Sequence, residues 1–273
     1  MSWWGKLVGG AFGFMLGGPL GAVLGAALGH NFDKGLNALP EDMLFEAGDR
    51  ERVQTAFFTT TFAVMGSVAK ADGRVGGEEI RIAEAVMAQM SLDAAMRKAA
   101  ISLFREGKSE EFDLDAVLEQ FRHECHGRST LIGMFMEIQL QAAYADGRLD
   151  PAEDRILRHI SSRVGVSELD YRRLERMVRM ERGYGPGADD SGSRRAAASA
   201  RPSLQEAYQV LGVDTKASDA EVKRAYRRLL SQHHPDKLVS KGLPEEMMRL
   251  ATQKTHEIRQ AYERVREARG QPH

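Results

Sequence analysis

Cysteine is almost missing from this chain: Cys125 is the only one in 273 residues. No internal disulfide can form, which agrees with a reducing compartment, and no paired-cysteine zinc module can be built. An excess of one charge is missing too, with 38 Lys and Arg against 39 Asp and Glu. Nucleic-acid binding favours a basic balance, so this composition argues against it. No glycine loop followed by Lys-Ser or Lys-Thr offers a phosphate cradle, and no Ser/His/Asp or Cys/His set can be proposed from spacing. His123, Cys125 and His126 crowd one stretch, but at spacings that match no zinc pattern. The chain does not read as an enzyme, and no cofactor is expected.

Charge is absent altogether from Leu7 to Gly29, a run of 23 residues. That length spans the hydrocarbon core of a bilayer as a helix. Trp3 and Trp4 stand just before it, where aromatic rings favour the membrane interface. Gly9, Gly13, Gly17, Gly21, Gly25 and Gly29 recur every fourth residue and line one helical face without side chains. Such a face lets a second copy approach backbone to backbone, so a homodimer through this helix is expected. In water each of these glycines would cost a helix about 1 kcal/mol. Lipid offsets that cost by forcing backbone groups to bond internally. The reading is a transmembrane helix within residues 1–30. A cleaved signal peptide fits less well, because Lys6 is a poor basic leader and the apolar run is long. Lys6 and Lys34 flank the run evenly, so charge does not set its orientation.

From about 51 to 182 the apolar pattern is helical, beginning with Phe57, Phe58, Phe62, Val64, Met65 and Val68. These residues read as core. The region repeats internally: Ala71-Asp72-Gly73-Arg74-Val75 returns as Ala145-Asp146-Gly147-Arg148-Leu149, 74 positions later. Glu79 matches Glu153, Arg81 matches Arg155 and Ile82 matches Ile156. Each copy reads as helix, Asp-Gly turn, helix. Asp150, Pro151 and Glu153 fit an N-cap, a first-turn proline and a capping-box glutamate. Asp72 and Asp146 have two readings. They are turn residues, or, if the repeats pack about a pseudo-twofold axis, carboxylates offered jointly to a divalent cation. Neither turn is an EF-hand, since the alternating ligand series is missing.

Between 183 and 203 the composition shifts to Gly, Ala, Ser, Asp and Arg, with too little apolar surface to fold. This stretch reads as a flexible tether. Beyond it, residues 204–270 form a further helical unit. Ser218 and Glu221 make a capping box, and Val222, Ala225, Tyr226, Leu229 and Leu230 define an apolar face. Lys223, Arg224, Arg227 and Arg228 form a compact basic face beside it. Pro235 cannot continue that helix, so His234, Pro235 and Asp236 are expected in an exposed loop. The next helix is expected to open at Pro244. His233, His234 and Asp236 could suggest metal ligation, but further ligands at known spacings are lacking.

Ala207-Tyr208-Gln209-Val210-Leu211-Gly212-Val213, Lys223-Arg224-Ala225-Tyr226-Arg227-Arg228-Leu229, His234-Pro235-Asp236-Lys237 and Ile258-Arg259-Gln260-Ala261-Tyr262 together resemble the J domain of the DnaJ family. One residue departs: Thr255 stands where many J domains carry a buried Phe. The repeat resembles the TerB-like helical domain associated with tellurite resistance, whose matching acidic turns have been linked to metal binding. The order of parts resembles that of the membrane-anchored DnaJ-like co-chaperones of bacteria. That implies an all-α protein made of a single transmembrane helix, a TerB-like bundle with an internal repeat, a flexible linker and a C-terminal J domain. The resemblance further implies a partner, the DnaK chaperone, with GrpE in the same system. His234, Pro235, Asp236, Lys223, Arg224, Arg227 and Arg228 would meet that partner. Since it consumes ATP, the bulk of the chain would face the cytoplasm and the N-terminus the periplasm, across the bacterial inner membrane. The alternative is a membrane-bound stress- or metal-sensing adaptor acting through the TerB-like domain.

Overall fold

The computed structural model describes residues 18–23, 49–71, 84, 87–88, 90, 92–144, 148–181 and 203–271. All regular structure among them is helical. Helices α1 (Asp49–Ala69), α2 (Ala94–Gly107), α3 (Leu114–Glu124), α4 (Ser129–Ala143), α5 (Pro151–Val164) and α6 (Glu168–Glu181) form a bundle. Helices α7 (Leu204–Val210), α8 (Asp219–His233), α9 (Pro235–Ser240) and α10 (Met248–Ala268) form a second unit, with a 3₁₀ turn at Glu245–Met247.

Helix α1 is the axis of the bundle and touches α2, α3, α4 and α5. It is therefore buried on all sides: Phe57, Phe58, Phe62, Ala63 and Val64 have no exposed surface. Its tightest contact is with α2. A Cβ on Gly66 would lie 2.0 Å from the Phe104 carbonyl oxygen, and one on Gly107 would lie 1.7 Å from that of Ala63. Two backbones therefore meet at a pair of glycines. The repeat-equivalent helices α1 and α4 also pack together, where the buried Gln139 amide donates to the Thr61 carbonyl at 2.9 Å. The expected start of α5 is present in full, with Asp150 as N-cap, Pro151 in the first turn and Glu153 closing the capping box.

Of the expected transmembrane glycines, Gly21 alone lies among the described residues; Gly9, Gly13, Gly17, Gly25 and Gly29 lie outside them. Residues 19–23 are helical. Leu20 and Val23 join the core of the bundle, and the Leu20 N–H donates to Gln120 Oε1 at 2.8 Å. No helix among the described residues is long and apolar enough to cross a membrane. The turn aspartates Asp72 and Asp146 and the expected linker up to residue 202 lie outside the described residues.

In the second unit α7 and α8 both pack on α10. Ala207, Tyr208, Leu211, Val222, Leu229, Ile258, Ala261 and Val265 make the core, and the rings of Tyr226 and Tyr262 stack at 3.9 Å. Arg269, just past α10, locks the far end by donating to Tyr208 Oη at 2.7 Å and to the Ala217 carbonyl at 2.7 Å, and it also pairs with Asp219.

Candidate functional site

The site begins with a helix that has a defined start and a forced stop. Ser218 accepts from the Glu221 N–H while the Glu221 carboxylate accepts from the Ser218 N–H, the capping box expected there. The interaction favours the ionised carboxylate, and the Ser218 hydroxyl and backbone hold the Glu221 pKa below its ordinary value. Fifteen residues after Ser218, α8 stops at His233, and His234 adopts an extended conformation (φ −64°, ψ 123°) ahead of Pro235. Val222, Ala225 and Leu229 are buried, so Lys223, Arg224, Arg227 and Arg228 are left on the exposed side of α8. All four basic residues point away from the core, and Arg224 and Arg228 edge a shallow groove beside Gly212, Val213 and Asp214.

The expected open loop is shorter than the pattern suggested. Pro235 and Asp236 form the first turn of α9, with the Leu238 N–H donating to the His234 carbonyl at 3.0 Å. A proline at a first helical position has no missing bond to pay for, so the residue that ends α8 also opens α9. Only His234 is non-helical. The imidazole of His234 is about half exposed and Asp236 is 87% exposed, with His234 Nδ1 4.0 Å from Asp236 Oδ2. Lys237 Nζ donates to Ser231 Oγ at 2.7 Å across the corner. Pro244 precedes the 3₁₀ turn, and the long helix starts at Met248, four residues later than the proline implied. The His-Pro-Asp segment is thus a corner between two helices, with two of its three residues turned outward.

Thr255 explains how that corner is held. It is buried on α10, and its hydroxyl lies 3.0 Å from the His233 carbonyl and 2.8 Å from that of Ala251. Where an aromatic ring would only fill space, the hydroxyl ties α10 to the last residue of α8.

Behind the corner lies a group of charges that the sequence pattern did not reveal. Glu137 on α4 is 2% exposed and Lys254 on α10 is 3% exposed, and Lys254 Nζ lies 2.7 Å from Glu137 Oε1. His233 Nδ1 stands 3.9 Å from Glu137 Oε2. Burial alone would raise the Glu137 carboxyl, but the charges of Lys254 and His233 and the Lys254 hydrogen bond bring its pKa below the ordinary range. Burial lowers the pKa of His233 despite Glu137, with Lys254 adding to the effect. Glu137 is the only charge in α4, and that isolation in an apolar helix was the available signal. Cys125 is buried and its thiol is pushed up to about 12 by desolvation, the opposite of a reactive cysteine. Among the described residues no group of three or more His, Cys, Asp or Glu side chains is placed to hold a metal ion.

An outward-facing His-Pro-Asp corner at the end of a basic helix, clamped on an Ala-Tyr helix, defines a J-domain protein. Three family models match successive parts of the chain. They are the co-chaperone DjlA transmembrane domain over residues 1–39, the tellurite resistance protein TerB over 59–176, and the DnaJ domain over 206–269. Relatives of nearly the full length of this chain share one name. Co-chaperone protein DjlA of Coxiella burnetii is 45% identical over 272 residues, covering 98% of this chain and 99% of the relative. That of Escherichia coli (strain K12) is 45% identical over 273 residues, with 99% of each chain covered. That of Photobacterium profundum is 44% identical over 278 residues, covering 98% and 99%. No solved structure matches the chain. The chain belongs to the DjlA co-chaperone family, an all-helical protein with a membrane anchor, a TerB domain and a J domain.

Proposed function

We propose that this chain stimulates ATP hydrolysis by the DnaK chaperone at the cytoplasmic face of the bacterial inner membrane, with GrpE serving the same cycle. The observation that carries the reading is the outward corner: His234 and Asp236 face solvent at the end of the helix on which Lys223, Arg224, Arg227 and Arg228 are exposed. Four cations on one exposed helical face steer an acidic partner surface and fix its orientation, an effect on association more than on depth of binding. His234, Pro235 and Asp236 then touch the bound chaperone and favour its hydrolysis-competent conformation. No bond is made or broken by this chain; it shifts an equilibrium in its partner and is a regulator of an ATPase. The first 39 residues anchor it, N-terminus outside, and the glycine face pairs two copies. Residues 183–203 serve as a connector whose length allows the J domain to leave and regain its seat.

The test is single-turnover ATP hydrolysis by DnaK with the full chain in lipid nanodiscs. Wild type should accelerate hydrolysis, and His234→Gln should not, with unchanged helical content. Equal stimulation by both would remove the corner from the mechanism.

A further inference from the structure

The J domain does not stand apart from the bundle. Leu238, Leu243, Met247, Leu250 and Ala251 belong to the same continuous apolar core as α1–α6, separate from the J domain's own core of Tyr208, Leu229 and Ile258. Gly242, at φ +106°, brings the chain so close to α1 that a Cβ there would lie 2.6 Å from Val53 Cγ1. Lys241 Nζ donates to Thr130 Oγ1 at 2.9 Å, and Arg50 pairs with Glu245 at 3.4 Å. At the centre of this seam sits the buried Glu137–Lys254 pair.

We infer that the TerB domain is a working part of the J domain, with Glu137 as a positioning residue that holds the His-Pro-Asp corner from behind. The corner hangs from two supports, the end of α8 and the start of α10, and Glu137 reaches both. It grips α10 through Lys254, whose neighbour Thr255 binds the His233 carbonyl, and it lies beside the His233 ring, one residue before His234. A buried ion pair adds little net stability, because desolvation consumes most of the Coulomb gain. What it does enforce is register, since any other seating would leave a carboxylate or an ammonium buried alone. The docked arrangement is not an occluded one. The seam uses His233, Leu238 and Lys254, while His234, Asp236 and the basic residues of α8 stay on the outer side. Docking therefore stiffens the chaperone-facing surface instead of covering it.

The inference rests on the proposed DnaK stimulation for its consequence but not for its geometry, and two readouts separate the two. In the full chain in nanodiscs, amide hydrogen exchange over residues 231–240 reports the corner directly. Glu137→Lys places two cations together at the seam and should speed exchange there about tenfold, with α1 and α2 unchanged. Glu137→Lys with Lys254→Glu restores an opposite pair and should return exchange towards wild type. The same proteins are then titrated into single-turnover DnaK hydrolysis. Glu137→Lys should lower the maximal stimulated rate about tenfold, and the half-saturating concentration should stay within about twofold because the basic face is untouched. The swapped pair should recover the rate. Unaltered exchange at 231–240 in Glu137→Lys would overturn the inference, as would altered exchange with full stimulation. Altered exchange, rescued by the swap, in a wild type that never stimulates DnaK would overturn the proposed function and leave the positioning role standing.

Discussion

The two folded units close their cores in opposite ways. The bundle wraps a central helix on every side and brings α1 and α2 to backbone contact at Gly66 and Gly107. The J domain is small, and its own core of Ala207, Tyr208, Leu211, Val222, Leu229, Ile258, Ala261 and Val265 covers only the C-terminal part of α10. The N-terminal part, at Leu250 and Ala251, is finished by the bundle. A unit of this size buries a smaller share of its surface than a larger domain does, so a neighbour that completes the core has a large relative effect. One unit is packed for itself; the other borrows a wall. The borrowed wall lies directly behind the residues that meet the chaperone.

Breaking the self-sufficient unit should produce the largest effect. Gly107→Val puts side-chain atoms where the Ala63 carbonyl stands and should cost at least about 4 kcal/mol in urea denaturation followed by circular dichroism. Both units should be lost, since the J domain loses its wall. Next comes the seam itself. Lys254→Met leaves the Glu137 carboxylate buried without its partner and should cost about 3–5 kcal/mol, whereas Glu137→Met with Lys254→Met should lie near wild type. An additive pair of losses in that double-mutant cycle would mean the two residues are not coupled. Thr255→Val removes the hydroxyl bond to the His233 carbonyl and should cost about 1 kcal/mol. Hydrogen exchange should rise at the end of α8 and spare the bundle. If protection fell evenly across both units, the Thr255 bond would not act locally on the corner.

Acid should act on the seam before the bundle. His233 has a folded-state pKa below its ordinary 6.5, so the released histidine binds a proton before the seated one. Stability then falls as pH drops from about 6.5 towards the lowered folded value, because the unfolded or undocked state holds more protons. Glu137, also lowered from its ordinary 4.5, contributes a second loss at more acid pH, when its carboxylate is protonated and the pair with Lys254 is lost. The groups facing His233 across the seam are Glu137 and Lys254. His233→Gln should remove the first part of the acid dependence of exchange at 231–240 and leave the second. A profile identical to wild type would show that His233 does not titrate there.

Local chemistry was legible and long-range pairing was not. The capping boxes at Ser218 and Asp150 could be read because two residues three positions apart decide each of them. The basic face of α8 followed from helical spacing alone. The corner was half read: Pro235 ends one helix by the same property that lets it begin another, and spacing cannot say which use prevails. Thr255 stood out as a departure from the J-domain pattern, yet its hydrogen bond depends on where the end of α8 falls in space. Glu137 and Lys254 lie on helices of different units, so no window of sequence contains both. A single carboxylate in an otherwise uncharged helix says that a partner exists without saying which one.

By itself the sequence determined the parts and their surfaces. It specified an apolar N-terminal run, a duplicated helical bundle, a polar connector, and a basic helix ending at His-Pro-Asp. Each of these follows from composition, from periodicity or from the fixed geometry of proline and capping residues, all of which act within a few residues. Only the tertiary structure decided that α10 serves two cores, that Glu137 stands behind the corner, and that Leu20 bonds to Gln120. Burial is a property of the assembled surface. A side chain's hydrophobicity says that it leaves water, while the fold alone says what it meets when it does.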